Sequence, residues 1–334
     1  MTDVNVLQEA LGASAEKTSL KTQHSPWRDQ TSAKFLKVLA FLIAGVTLFL
    51  IGLGGATRVM NAGLSCPDWP LCYGTIVPKA QMNLQVFLEW FHRLVASGVG
   101  LLTVTLAATA LWNYRNLPRW VSGLSVLSLF LVLVQGLLGG LTVTELLRFD
   151  IVTAHLGTAM LFLSVVLVLA VGLAPTAIQV SRSITQQAGA KTSVGSMPWV
   201  ALGAAITLYA QSLLGGLVAS QWALHACLGS SLLCSVMNNH LLGIVPAVVA
   251  ILAVVVVAWR TSNLSPGLRR VAFVSGSLLL LQLGLGLATF RLQLQVQPLT
   301  VAHLVTGVTM FGSLVVLTTL AWKQRVQLQQ AQAS

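Results

Sequence analysis

Charge is scarce in this sequence. Only 8% of its 334 residues are Asp, Glu, Lys or Arg, and 8 are acidic, while 55% are hydrophobic. That balance excludes an ordinary water-soluble domain and makes the chain an integral membrane protein. A period-2 strand pattern is also missing, so a helical bundle is the spanning structure these runs allow. Residues 1–33 have no apolar core of a signal peptide. Asp3, Glu9, Glu16 and Asp29 lie among their bases, unlike the acid-poor composition of a mitochondrial presequence, so they read as a flexible cytoplasmic tail.

Long apolar runs are what the chain has instead. At 1.5 Å per residue, a hydrocarbon core of about 30 Å takes roughly 20 residues. Eight stretches qualify, near 36–56, 84–112, 120–141, 152–174, 198–219, 237–259, 271–290 and 299–321. The net charge of +11 could suggest a nucleic-acid partner, but the positions of the bases answer otherwise. Lys17, Lys21, Arg28, Lys34, Lys37, Arg115, Arg119, Arg182, Lys191, Arg260, Arg269, Arg270, Lys323 and Arg325 all fall on one side of the predicted spans. By the positive-inside rule that side is the cytoplasm, both termini lie there, and the basic excess is topological. Arg58, Lys79, Arg93, Arg148 and Arg291 sit at the opposite face.

Histidines stand out next. His92, His155, His240 and His303 occupy the outer ends of the second, fourth, sixth and eighth spans. A separation of 148 residues relates His92 to His240 and His155 to His303, which marks a duplication. Gln135-Gly-Leu-Leu-Gly-Gly-Leu-Thr returns as Gln282-Leu-Gly-Leu-Gly-Leu-Ala-Thr at an offset of 147; Leu53-Gly54-Gly55 returns as Leu214-Gly215-Gly216, and Cys66 as Cys227, at 161. The expected fold is therefore all-α, eight transmembrane helices arranged as two pseudo-symmetric four-helix bundles of like orientation. The N-terminal half is placed at 34–175, a cytoplasmic linker at 176–197, the C-terminal half at 198–322 and a cytoplasmic tail at 323–334. Glycines such as Gly136, Gly139 and Gly140 are expected to let helices approach closely.

Two imidazoles at one depth in each half could face each other across a flat ligand, and haem is the natural candidate. Zinc would want more ligands than two histidines. Arg58, Arg93, Arg148 and Arg291 lie at the level where propionates want guanidinium partners; interfacial anchoring is the other reading. The halves differ in one respect that bears on chemistry. At the 148-residue offset, Glu89 becomes Met237 and Arg93 becomes Leu241, so only the first half places an acid one helical turn from its histidine. Ionisable groups in a span are costly, roughly 2.5 to 3.5 kcal/mol for a charge at mid-membrane, which makes function the default explanation. His92 and His155 with Glu89 look like a site of chemistry, and His240 and His303 like a passive electron-carrying pair. The four cysteines fall in outer loops, where disulfides persist, as Cys66 with Cys72 and Cys227 with Cys234; structural staples and redox-active pairs both fit. His225, in the second cysteine loop, has no first-half counterpart.

The runs Gly54-Gly55-Ala56-Thr57-Arg58, Gly63-Leu64-Ser65-Cys66-Pro67-Asp68-Trp69-Pro70-Leu71-Cys72-Tyr73-Gly74 and Glu89-Trp90-Phe91-His92-Arg93 strongly resemble the heme A synthase family. The resemblance spans essentially the whole membrane portion. It implies an enzyme that oxidises the C8 methyl group of heme O to the formyl group of heme A for cytochrome oxidase assembly. It also implies a haem b cofactor ligated by His240 and His303, heme O ligated or positioned by His92 and His155, Glu89 as the essential acid, and an outer cysteine pair concerned with activity or reducing equivalents. The second-half stretch Ser235-Val236-Met237-Asn238-Asn239-His240 departs from the first-half motif, which leaves His225 as the fallback ligand. Heme O synthase, an electron-transfer partner and a second copy of the chain are the partners this reading admits, in a bacterial plasma membrane with the haem sites toward the outer side. The alternative is a non-enzymatic dihaem b-type electron carrier, which predicts two equivalent sites. A transporter would favour polar groups at mid-membrane.

Overall fold

The apolar runs are helices, and their ends follow from local chemistry. In a computed structural model, which describes residues 30–174, 194–219, 232–262 and 264–333, the helices are α1 (Gln30–Val59), α2 (Leu84–Trp112), α3 (Arg119–Thr144), α4 (Phe149–Leu173), α5 (Met197–Val218), α6 (Leu232–Arg260), α7 (Pro266–Arg291) and α8 (Gln297–Ala333). Each has a segment long and apolar enough to cross a membrane. The described residues hold no strand. Asn83 caps α2, its Oδ1 accepting from the Val86 N–H at 2.9 Å, and Pro266 opens α7 where a missing N–H costs nothing.

The helices close into two rings of four. α1 packs on α2, α2 on α3, α3 on α4 and α4 back on α1; α5, α6, α7 and α8 repeat that circuit. The rings meet where α8 lies against α1 and α4 and where α4 lies against α5. Glycines set these close approaches. A Cβ on Gly55 would lie 2.5 Å from Leu304 Cδ2, one on Gly52 2.9 Å from Val305 Cγ2, and one on Gly157 2.8 Å from Leu213 Cδ2. With lipid as apolar as the core, such contact replaces the hydrophobic drive as the reason helices associate. Buried hydroxyls are satisfied internally: Thr103 Oγ1 donates to the Val99 carbonyl at 2.8 Å, and Ser275 and Ser313 Oγ atoms pair at 2.8 Å between α7 and α8.

One turn occurs twice. After α3, Leu146 and Leu147 adopt φ of 51° and 59°, and the Leu147 N–H donates to the Thr142 carbonyl at 2.8 Å; after α7, Gln293 and Leu294 adopt 50° and 60°, and the Leu294 N–H donates to Thr289 O at 3.0 Å. Left-handed backbone at non-glycine residues costs roughly 1–2 kcal/mol each, so the turn is held by the helices it joins.

Residues 323–333, expected as a tail, continue α8 as helix. The start of this extension is anchored across the halves. Lys323 Nζ donates to Gly172 O at 2.8 Å and to Ala174 O, covering carbonyls that the end of α4 leaves free, and buried Gln324 accepts from Ser265 Oγ at 2.9 Å.

Candidate functional site

Each of the four histidines sits early in its helix: His92 is the ninth residue of α2, His155 the seventh of α4, His240 the ninth of α6 and His303 the seventh of α8. Each turns the Cε1 edge of its ring to a glycine on the preceding helix. A Cβ would stand 2.9 Å from that atom at Gly54, 3.6 Å at Gly139, 3.0 Å at Gly215 and 2.9 Å at Gly286. The glycine repeats in the sequence therefore include the ring seats, and Gly139, expected to let helices approach, admits a ring instead. The signal lay in their offsets, 161 for Gly54 to Gly215 and 147 for Gly139 to Gly286.

In the second half, His240 and His303 line one cavity of about 430 Å³, with Gln211, Gln282, Met237 and Arg58 among its other walls. That volume falls in the range of cofactor pockets, roughly 300–1,000 Å³. The Gln211 amide nitrogen lies 3.1 Å from His240 Nδ1 and donates to the His240 carbonyl at 2.8 Å; the Gln282 amide nitrogen lies 3.3 Å from His303 Nε2. His303 Nδ1 is buried with no hydrogen-bond partner among the described residues. Two imidazoles and a guanidinium on the walls of a mostly apolar cavity are residue types that fit a haem. Arg58 belongs to α1, so the cation comes from the other half. Met237, the counterpart of Glu89, lines the same cavity.

The first half is organised by its outer loop. Glu89 is 4% exposed; its Oε2 accepts from the Cys66 N–H at 2.8 Å, and its Oε1 accepts from Arg93 Nη2 one turn along α2. Arg93 also donates to the carbonyls of Asp68 at 2.6 Å, Leu71, and Cys66 at 3.3 Å. Cys66 and Cys72 form a disulfide, both buried against Val86 and Trp90. Trp90 Nε1 donates to Ile76 O at 2.7 Å, and the Trp69 ring lies against Gly140 of α3. The loop is thus drawn down on the first half by the two ionisable residues that the second half lacks. Within the loop, the Gly74 N–H, with help from the Tyr73 N–H and the Arg93 charge, holds the Asp68 carboxyl below its ordinary 3.8. Asp68 accepts from Gly74 N at 2.8 Å and Tyr73 N at 2.6 Å, and both residues take positive φ, 70° and 54°.

His92 and His155 carry buried Nδ1 atoms without partners among the described residues, and Gln135 Nε2 reaches only the His155 carbonyl, at 3.0 Å. The remaining arginines go elsewhere. Arg148 is exposed and paired with Asp150 at 2.8 Å and Glu145 at 3.3 Å, and Arg291 is exposed at the end of α7. Cys227 and His225 lie outside the described residues, as does the Cys234 side chain, so the second cysteine pairing does too.

Fold and site together define a multi-pass helical membrane protein with a histidine seated on a glycine in every even-numbered helix. The chain belongs to the cytochrome oxidase assembly protein family, whose model matches residues 37–315. It is similar to the heme A synthase of Shewanella oneidensis, 34% identical over 197 residues, which cover 54% of this chain and 56% of that one. Similar proteins of the same name occur in Staphylococcus saprophyticus, 33% identical over 140 residues (41% and 45% of the two chains), and in Shouchella clausii, 36% identical over 139 (40% and 44%). The matched stretches span about half the length of these relatives.

Proposed function

We propose that the chain is a heme A synthase, converting the C8 methyl group of heme O to a formyl group in a bacterial plasma membrane, with both termini cytoplasmic and the haem sites toward the outer face. The observation that carries this reading is the buried, fully partnered Glu89 in one half opposite Met237 in the other. An electron carrier with two equivalent haems has no use for that difference. Relatives bearing the heme A synthase name point the same way.

In this reading the two halves are duplicates with divided roles. Residues 34–175 take heme O, with His92 and His155 ligating or positioning it, and within residues 198–322 His240 and His303 would hold haem b. Haem b, when bound, would supply one-electron transfer. Arg58, at the cavity wall, would offer its guanidinium to that group's carboxylates from across the interface between the halves. Arg93, by contrast, spends its guanidinium on Glu89 and three loop carbonyls, so its part is to place the acid.

Making a formyl from a methyl group breaks two C–H bonds, forms one C=O bond and is a four-electron oxidation, so the reaction also needs an electron acceptor from outside the chain. Glu89 supplies an oxygen base beside the ring edge to accept a proton from that carbon, or a negative charge to stabilise it as it becomes electron-poor. Its pairing with Arg93 allows the carboxylate to be buried without leaving an isolated charge. The loop closed by Cys66 and Cys72 covers this end of the half and keeps bulk water from the reacting edge.

The test is pigment extraction from cells supplied with heme O. The parent chain yields formyl or hydroxymethyl porphyrin, and Glu89→Ala keeps haem b and yields neither. Normal heme A in that variant removes Glu89 from the mechanism, and haem b alone from the parent chain returns the electron carrier.

A further inference from the structure

The cavity lined by His240 and His303 is not walled by the second half alone. Leu156 of α4 lies on it, and Leu156 is the residue after His155. Its counterpart at the 148-residue offset, Leu304, follows His303 and lines the same cavity. So do Gly55 and Gly216, which are related by 161.

These four residues pack in a crossed pattern. In each half, the first glycine of a Gly-Gly pair seats that half's own histidine and the second receives a leucine from the other half. Gly54 faces the His92 ring, and a Cβ on Gly55 would lie 2.5 Å from Leu304 Cδ2; Gly215 faces the His240 ring, and a Cβ on Gly216 would lie 3.1 Å from Leu156 Cδ2. One residue further along α4, a Cβ at Gly157 would stand 2.8 Å from Leu213 Cδ2 and 3.0 Å from the Tyr209 hydroxyl. The turn of α4 that carries His155 is thus seated on α5. Little else fixes the His155 ring. Its Nδ1 has no partner among the described residues, and Gln135 reaches only its carbonyl, so the ring goes where the packing of its turn puts it.

We infer that Leu156 is a positioning residue that carries the filling of the second-half cavity to His155, so that the first half takes heme O tightly only when the second half holds haem b. A flat group in the cavity confines the Leu156 side chain between itself and Gly216, and with it the α4 backbone beside His155. Close-packed side chains pass such a constraint on instead of absorbing it. The two sites are then linked by a coupling free energy, typically a factor of about 5 to 150 in affinity. This rests on the proposed assignment of heme O to the first histidine pair and haem b to the second.

The experiment uses full-length chains in detergent without oxidant, so that nothing turns over, and measures heme O affinity with and without haem b. Haem b is withheld by His240→Ala with His303→Ala, which denies the second half both imidazoles. That pair of substitutions is expected to weaken heme O binding at least about 5-fold in the parent chain. In Leu156→Ala the same pair should change it less than twofold, whereas Leu161→Ala, on an exposed part of α4, keeps the full difference. Equal heme O affinity with and without haem b in the parent chain overturns the inference. So does a full difference that persists in Leu156→Ala, or one lost equally in Leu161→Ala. Should Leu156→Ala fail to hold haem b, Leu156→Val decides: haem b kept with a diminished difference supports the role, and a full difference or no haem b overturns it. A parent chain purified without haem b, or haem b that survives loss of both histidines, instead overturns the site assignment itself.

Discussion

Glu89 and Arg93 show how two residues can hold a whole loop. Their ion pair lies on one helical face, yet most of its remaining hydrogen bonds run to backbone between Cys66 and Leu71. Removing one partner of a buried pair strands the other, at about 3–5 kcal/mol. Arg93→Ala is therefore expected to free the loop, seen as faster hydrogen exchange at the Cys66 N–H, while Glu89→Gln, which keeps an acceptor for that N–H, loses less protection. Asp68 adds a pH dependence. Because its folded carboxyl titrates below the ordinary 3.8, the charge holds the Tyr73–Gly74 turn fully above that value and releases it as pH falls further, through the folded value. Asp68→Asn should make loop mobility insensitive to pH in that acid range, which proteolysis of the loop by an acid-stable protease would report.

Among the helices, the recurring unit is a histidine on one and a glycine on its predecessor. The ring seats differ in tightness, and the difference makes a graded prediction. Gly215→Ala and Gly286→Ala place a methyl 3.0 and 2.9 Å from a ring carbon, closer than packing tolerates, so each should lower the haem recovered with the second half several-fold. Gly139→Ala, at 3.6 Å, makes an ordinary contact and should leave the His155 seat intact. Haem-to-protein ratios in the purified variants check this, with equal ratios for Gly139→Ala and Gly286→Ala counting against the seat. These positions were visible in the sequence as repeats at 147 and 161, but a glycine in an apolar run reads the same whether it admits a neighbouring helix or a side chain. Only the pairing of helices tells which.

Across the whole molecule, the eight spans and their fourfold histidine pattern were legible because bilayer thickness and a duplicated sequence leave few alternatives. Glu89, His92 and Arg93 were legible as a group because three ionisable residues are dear at the mouth of an apolar run. What sequence concealed was cross-half traffic. No periodicity says that Arg58 of α1 walls the cavity between α6 and α8, that Lys323 of α8 caps α4, or that residues 323–333 extend a helix. Arg148 looked equivalent to Arg58 by level, but acids on either side take up its guanidinium. Arg58→Gln is expected to weaken haem retention in the second half while leaving the Glu89 loop as protected as in the parent chain; haem loss kinetics read beside hydrogen exchange separate the two effects. Gly55→Ala, whose Cβ would meet Leu304 at 2.5 Å, should cost about 1–3 kcal/mol at the seam, read as a lower thermal midpoint in detergent.

Arg58 carries a further implication for dividing the chain. The residue at the matching 161-residue offset is Ala219, so among the described residues the arginine at this cavity's wall comes from the first four helices. A chain divided at residues 176–197 would leave the last four helices without the guanidinium that now walls their cavity.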